Sequence, residues 1–313
     1  MGLHLDEPLG FLFPLYVCRI LASGLVKGGS HRLSSAIYRS FVRSGGRVLD
    51  SCAVTRIVME GGRAVAVEID DGRRFDADAI VSTLNPEQTF VELIDDDALP
   101  QELAEAVPAW EWETRSMFGL HLGVEGGVSF KAKDPRVGEA MIVFCGIETE
   151  EELLAHLDDV DAGEIGRCDW LHLTNFSRFD ATMAPPGHEL LRIEAVVKYD
   201  PGWTSEGKAF ADDCLRLVGD YAGLGDIAFR RHTTPVDIEQ KLTTMKRGSI
   251  KHGAYSTLQL GYLRPNDLCS HSATPIPGLF IGGASLYPGG MVLGGPGYIA
   301  AQVVGEHLGS ESS

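Results

Sequence analysis

Close to its C-terminal end the sequence alternates short apolar and glycine-rich steps. Pro277-Gly278 leads into Leu279-Phe280-Ile281, then Gly282-Gly283-Ala284-Ser285, and after Leu286-Tyr287-Pro288 the run Gly289-Gly290-Met291-Val292-Leu293-Gly294-Gly295-Pro296-Gly297. A strand that ends in consecutive glycines brings its backbone close to a flat or charged ligand, because no Cβ stands in the way. A glycine-rich loop feeding a helix adds free N–H groups and the positive end of the helix dipole, which together favour an anion. Gly295-Pro-Gly297-Tyr-Ile-Ala300 also matches G-x-G-x-x-A. A dinucleotide fingerprint follows its strand directly and has a ribose-binding acid about 20 residues on. Here the nearest apolar strand lies a whole loop earlier and Ser313 comes before any such acid, so the match reads as a decoy.

The elements that would position this loop are legible at both ends of the sequence. Lys27-Gly28-Gly29-Ser30 leads into a helical pattern with Ser30 as N-cap and Leu33, Ile37 and Phe41 on one face, ended by Gly45-Gly46. Strands follow at Ala53 to Met59 and Ala64 to Ile69, joined by Glu60-Gly61-Gly62-Arg63, and Asp78 to Thr83 reads as a short buried strand that stops at Asn85-Pro86. Between about 90 and 265 the grammar changes. Phe118, Leu120, Leu122 and Val124 alternate, as do Leu191, Ile193, Ala195 and Val197, which predicts antiparallel strands with one buried face. Phe210, Cys214, Leu217, Val218 and Tyr221 have helical spacing, and Glu150 to Leu157 predicts a shorter helix. Tyr298 to Leu308 reads as a last helix with Gly309 as its stop.

Composition excludes several functions. The formal net charge of −17 over 313 residues repels phosphate backbones, so nucleic acid is not an expected partner. Six cysteines without a C-x-x-C pair predict no metal site, and with no export signal they indicate reduced thiols and a cytoplasmic setting. Phe11 to Val26 is apolar but broken by Pro14 and Arg19, too short to span a bilayer. It reads as a core or substrate-domain segment, with a partner contact or a peripheral membrane-surface contact as the alternative.

The tail from Gly278 to Gly297 resembles the C-terminal FAD motif of the phytoene-desaturase-like (carotenoid desaturase) flavoproteins of the flavin amine oxidase superfamily. Three further segments agree in order: Lys27-Gly-Gly-Ser-His-Arg-Leu33 through Asn85-Pro86, Ala184-Pro-Pro-Gly-His188, and Thr234-Pro-Val-Asp-Ile-Glu239 with Gly253 and Arg264-Pro265 beyond. The resemblance implies FAD as cofactor, with the Val54 backbone at the adenine and Ser82 and Thr83 along the adenosine and diphosphate. Gly282, Gly283, Ala284 and Ser285 would meet the diphosphate and ribityl chain, and Gly289, Gly290, Met291 and Val292 the pyrimidine edge of the flavin. Many relatives carry an acidic residue near Ala284 or Ser285, and this sequence does not.

Implied too is hydride transfer from a mostly apolar organic substrate to flavin N5, with substrate positioning doing much of the work. His252 and Tyr255 follow the T-P-x-D-x-E segment and are the catalytic candidates; a hydrogen-bonded loop histidine is the plainer reading of the first. Trp110, Trp112 and Trp203 read as packing. The family's opening strand, G-x-G-x-x-G turn and helix are not found upstream of Lys27. The expected fold is therefore α/β, an incomplete FAD-binding (glutathione-reductase-like Rossmann) fold with an α+β substrate domain. Residues 1–26 form a substrate-domain or partner-contact segment, 27–89 and 266–313 the FAD-binding parts, and 90–265 the substrate domain. A partner chain carrying the N-terminal Rossmann segment is expected; a non-catalytic scaffold subunit or a truncated product is the alternative.

Overall fold

A computed structural model describes residues 18, 21, 23–163, 165, 168–290, 292 and 294–311. The expectation for Phe11–Val26 therefore falls largely outside the described residues, as does Met291. In chain order the elements are α1 (His31–Arg43), β1 (Val54–Glu60), β2 (Arg63–Ile69), β3 (Arg74–Asp76) and β4 (Ile80–Ser82). Next come α2 (Gln101–Ala106), β5 (Arg115–Phe130), β6 (Ile142–Cys145), α3 (Glu150–Ala162) and β7 (Leu171–Thr174). The series ends with β8 (His188–Lys198), α4 (Trp203–Tyr221), β9 (Ala222–Thr233), α5 (Pro235–Lys241), β10 (Leu279–Ile281) and α6 (Gly295–Glu311).

Contacts divide the chain into two units. The first holds Val48–Glu113 and the described residues from Thr244 on; the second holds the described residues of Val17–Arg47 with Thr114–Thr243. These limits differ from the sequence boundaries at 89/90 and 265/266. Phe90, Ile94, Leu103 and Val107 join the core of Ile57, Ile80, Leu279 and Ile281, so residues 90–113 go with the first unit. Periodicity shows that a residue is buried, and only the tertiary fold shows in which core.

In the first unit β1, β2 and β3 form an antiparallel meander. Its first turn pairs Glu60 with Arg63 across Gly61 and Gly62, which have φ of 58° and 79°. Two successive positive φ values match the right-handed twist of a two-residue hairpin, and glycine takes them without strain. Apart from the meander, β4 and β10 pair in parallel, Ile80 with Leu279 and Ser82 with Ile281.

The second unit is a five-stranded antiparallel sheet in the order β6-β7-β8-β5-β9. The alternating residues of β5 and β8 do bury one face: Phe118, Leu120, Leu122 and Ile193 are fully buried, with Trp203, Phe210, Cys214 and Val218 of α4 in the same core. The Phe118 ring lies 4.8 Å from Phe210 and 5.7 Å from Trp203.

Three local expectations are corrected. Ser30 does not cap α1: its φ and ψ of −58° and −30° are already helical and its hydroxyl bonds no backbone N–H of the helix. Gly309 does not stop α6, which runs on to Glu311, because a glycine ends a helix only where it turns left-handed. The helix at Glu150 extends to Ala162, held at its start by a Thr149–Glu152 capping box. No residue of α1 is buried; Ile37 is 64% and Phe41 50% exposed, so its apolar stripe is without cover among the described residues.

Candidate functional site

The glycine-rich turn after β10 lies against the end of β4. Gly282 donates its N–H to the Ser82 carbonyl at 2.7 Å. Gly283 has φ +71°, and a Cβ built there would stand 2.7 Å from the Thr83 carbonyl oxygen, so no other residue type fits without moving one strand end. Ser285 is buried, and among the described residues its Oγ has no hydrogen-bond partner. A buried hydroxyl left unpaired costs about 1–3 kcal/mol, which a ligand oxygen would recover. The Gly282–Gly283 turn packed on the end of β4, beside an orphaned hydroxyl at Ser285, suits the diphosphate or ribityl oxygens of a dinucleotide. The residues present fit FAD.

Not every expected group is available. The Ser82 hydroxyl is satisfied internally by Thr89 Oγ1 at 2.7 Å, so it offers a ligand only its backbone. Val54 opens β1 opposite Ile69, 40% exposed. Ala284 is half-buried and its carbonyl accepts from Arg264 Nε at 3.1 Å. The resemblance implies a Gly290 N–H free for the flavin; instead that group donates to Tyr255 Oη at 3.1 Å. Gly289, at φ +95°, leaves room for the same hydroxyl, since a Cβ there would come within 2.6 Å of it. Val292 is 84% exposed with φ +58°.

Tyr255 and His252 belong to a buried knot that the sequence did not announce. Arg264 is fully buried, yet among the described residues its guanidinium has no carboxylate partner and bonds backbone instead. It donates to the carbonyls of Ala284, Ala254, Gln259, Lys251 and His252 over 2.8–3.2 Å. The Tyr255 ring lies 4.8 Å and the Trp110 ring 5.1 Å from its Cζ. Burial pulls this guanidinium down to about 10, so it stays charged at neutral pH. Gln259 adds to the knot through the Ala254 and Glu111 carbonyls, and buried Glu113 pairs with Lys251 and accepts from Ser249 Oγ. One side chain thus ties the 251–259 segment to the glycine-rich turn. The only signal in the sequence was Arg264-Pro265, among the residues that carry the resemblance.

His252 has φ +56° and accepts or donates at Nε2 with Thr244 Oγ1, 3.0 Å away. Its Nδ1 is buried without a partner among the described residues. Burial, reinforced by the Arg264 charge, pushes its pKa down to about 4, so the ring is neutral at physiological pH. Tyr255 is pushed up by burial, against the pull of Arg264, and stays a neutral phenol. Trp110 is buried, Trp112 bonds Glu87 at 3.0 Å and Trp203 is core, as packing predicts. No group of three or more metal-ligating side chains exists among the described residues. Among them, too, no helix is long and apolar enough to cross a membrane.

The model of the flavin containing amine oxidoreductases matches residues 8–295, nearly the whole chain. The chain belongs to that family. FAD is the cofactor that goes with this membership. A limonene dehydrogenase subunit of Castellaniella defragrans is 40% identical over 96% of this chain and 58% of its own length. A lycopene-forming phytoene desaturase of a Paracoccus species is 27% identical over 91% of this chain and 55% of its own, in line with the desaturase-like motif of the tail. An oxidoreductase from Methanosarcina mazei superposes with a TM-score of 0.54 at 17% identity, over 89% of this chain and 54% of that one, and shares the fold. The chain thus spans little more than half the length of these relatives.

Proposed function

We propose that this chain is one part of an FAD-dependent dehydrogenase or desaturase that oxidises a mostly apolar organic molecule. In this reading a partner chain supplies the strand, G-x-G-x-x-G turn and helix that hold the diphosphate. The observation that carries it is the β4–β10 pair, among the described residues a two-stranded parallel sheet with Val81 43% exposed. Parallel strands are stable in larger sheets covered on both faces, and two alone fall short of that. Further parallel strands beside this pair would complete the sheet, and Ile37 and Phe41 of α1 call for an apolar cover of their own. The 40% identical limonene dehydrogenase relative is itself a subunit by name.

Bound FAD would accept a hydride at N5. The chain's own contribution is to bind and exclude water: Thr83, Gly282, Gly283 and Ser285 form the cradle for the ribityl and diphosphate oxygens. Tyr255 fixes the loop at Gly290, and Arg264 fixes Tyr255. His252 offers a neutral Nδ1, without a partner among the described residues, that accepts or holds a proton beside the same segment. The test is co-expression with a short neighbouring reading frame bearing strand-G-x-G-x-x-G-helix, followed by gel filtration with flavin absorbance. A stoichiometric yellow complex is expected from the pair and little flavin from this chain alone, and Gly283→Val should bleach the pair. An assembled pair without flavin would favour a scaffold subunit, and stoichiometric flavin on the lone chain would remove the need for a partner.

A further inference from the structure

The second unit buries one face of its sheet and leaves a charged strip on the other. His121 of β5 is paired with Arg192 on β8 and with Arg231 on β9, so three cation-capable side chains stand abreast on one face. Neighbouring strands lie about 4.8 Å apart, which puts the Arg192 and Arg231 backbones roughly 10 Å from one another across β5. Like charges in directly opposed positions destabilise a sheet unless something compensates them. Compensation here is partial. Glu194 pairs with Arg192 and lies 3.3 Å from His172 Nδ1, so its charge is shared. Arg231 has no ion-pair partner among the described residues, nor has Lys241 at the end of α5. Asp237, the nearest acid on α5, has one carboxylate oxygen committed to the Thr234 N–H and hydroxyl. Burial, with the fields of Arg192 and Arg231, holds His121 below its ordinary value against the opposing pull of Glu194. In a chain of net charge −17 this is a local reversal of sign.

Two hollows meet at His121. One, of about 650 Å³, lies between the 24–31 segment and the sheet, with Leu25, Val26, Phe176, Met183, Leu190 and Arg192 in its lining. The other, of about 520 Å³, is lined by Arg231, His232, Thr233, Asp237, Gln240 and Lys241. Each is of a size that holds a small organic molecule. The first is chiefly apolar; the second is polar, with Arg231 and Lys241 set against the one carboxylate of Asp237, and His121 borders both.

We propose that the two hollows act as one trough across His121 and take an amphiphilic anion: an apolar body along Leu25, Phe176, Met183 and Leu190, and a carboxylate or phosphate head between Arg231, Lys241 and Arg192. The proposal rests on the reading of the chain as part of an oxidoreductase with an apolar substrate, and narrows that substrate to molecules with one anionic end. Arginine forks and an ammonium suit both head groups.

The test uses the full chain and three eight-carbon probes, octanoate, octyl phosphate and octanol, with affinities read by calorimetry at low and high salt. One or both anions should bind about tenfold tighter than octanol, as befits charge-assisted hydrogen bonds to two cations. That preference should shrink in high salt. Which anion wins identifies the head group. Arg231→Gln combined with Lys241→Gln, both exposed and away from the core, should erase the preference while leaving circular dichroism and octanol binding unchanged. Equal affinity for octanol and both anions, no binding of any probe, or an anion preference that survives the double variant would overturn the proposal. FAD binding by the assembled pair is scored separately. Anion preference without flavin binding keeps the trough and removes the oxidoreductase reading; flavin binding without anion preference does the reverse.

Discussion

Arg264→Met removes the guanidinium and keeps most of its volume. Five carbonyls lose a donor, but Ala254 O retains Gln259 Nε2 at 2.9 Å, and those counted as stranded are Ala284, Gln259 and His252. Each such carbonyl without a donor costs about 1–3 kcal/mol, so three cost roughly 3–9 kcal/mol. Replacing a buried charge by an apolar side chain is often tolerated when its partners are replaced as well. Here the partners are backbone and stay polar. The upper part of that range is comparable with the stability of a whole domain, about 5–15 kcal/mol. Urea unfolding followed by tryptophan fluorescence reports directly, since Trp110 lies 5.1 Å from the lost charge. We expect the transition of the first unit to vanish or shift far toward zero denaturant, with hydrogen exchange released at 251–259. Arg264→Lys should recover only part of the loss, because an ammonium presents its three donors from one point. A midpoint for Arg264→Met within error of the parent would refute the claim that this side chain holds the loop.

Two more outcomes concern a titrating group and a packed ring. His252 titrates near 4 when folded and near its ordinary 6.5 when unfolded, so the unfolded chain binds more protons between those values. Its contribution is present above pH 6.5 and is lost as pH falls toward 4, about 3 kcal/mol in all; the parent should lose that much more stability than His252→Asn over the interval, and parallel profiles would disprove the burial effect. In the second unit Phe118→Ala should cost about 3–5 kcal/mol by opening the space between Trp203 and Phe210, read as a lower melting temperature, and a shift of under a degree would contradict the packing.

Much of this protein was readable from its residues. Alternation at 118–124 and 191–197 fixed which face of the sheet is buried, because side-chain period and strand geometry are both two. Paired glycines at 61–62 set a hairpin, and the glycine run at 282–297 marked the turn against Thr83, since only glycine tolerates such approach. Tertiary structure decided the rest. Nothing local separates an arginine that bonds five backbone carbonyls from one in solvent, nor shows that the Gly290 N–H is held by Tyr255. Both depend on residues 20 and 35 positions apart being folded together. The strip of His121, Arg192 and Arg231 is likewise invisible in sequence: strand register across β8, β5 and β9 is what places a histidine and two arginines side by side.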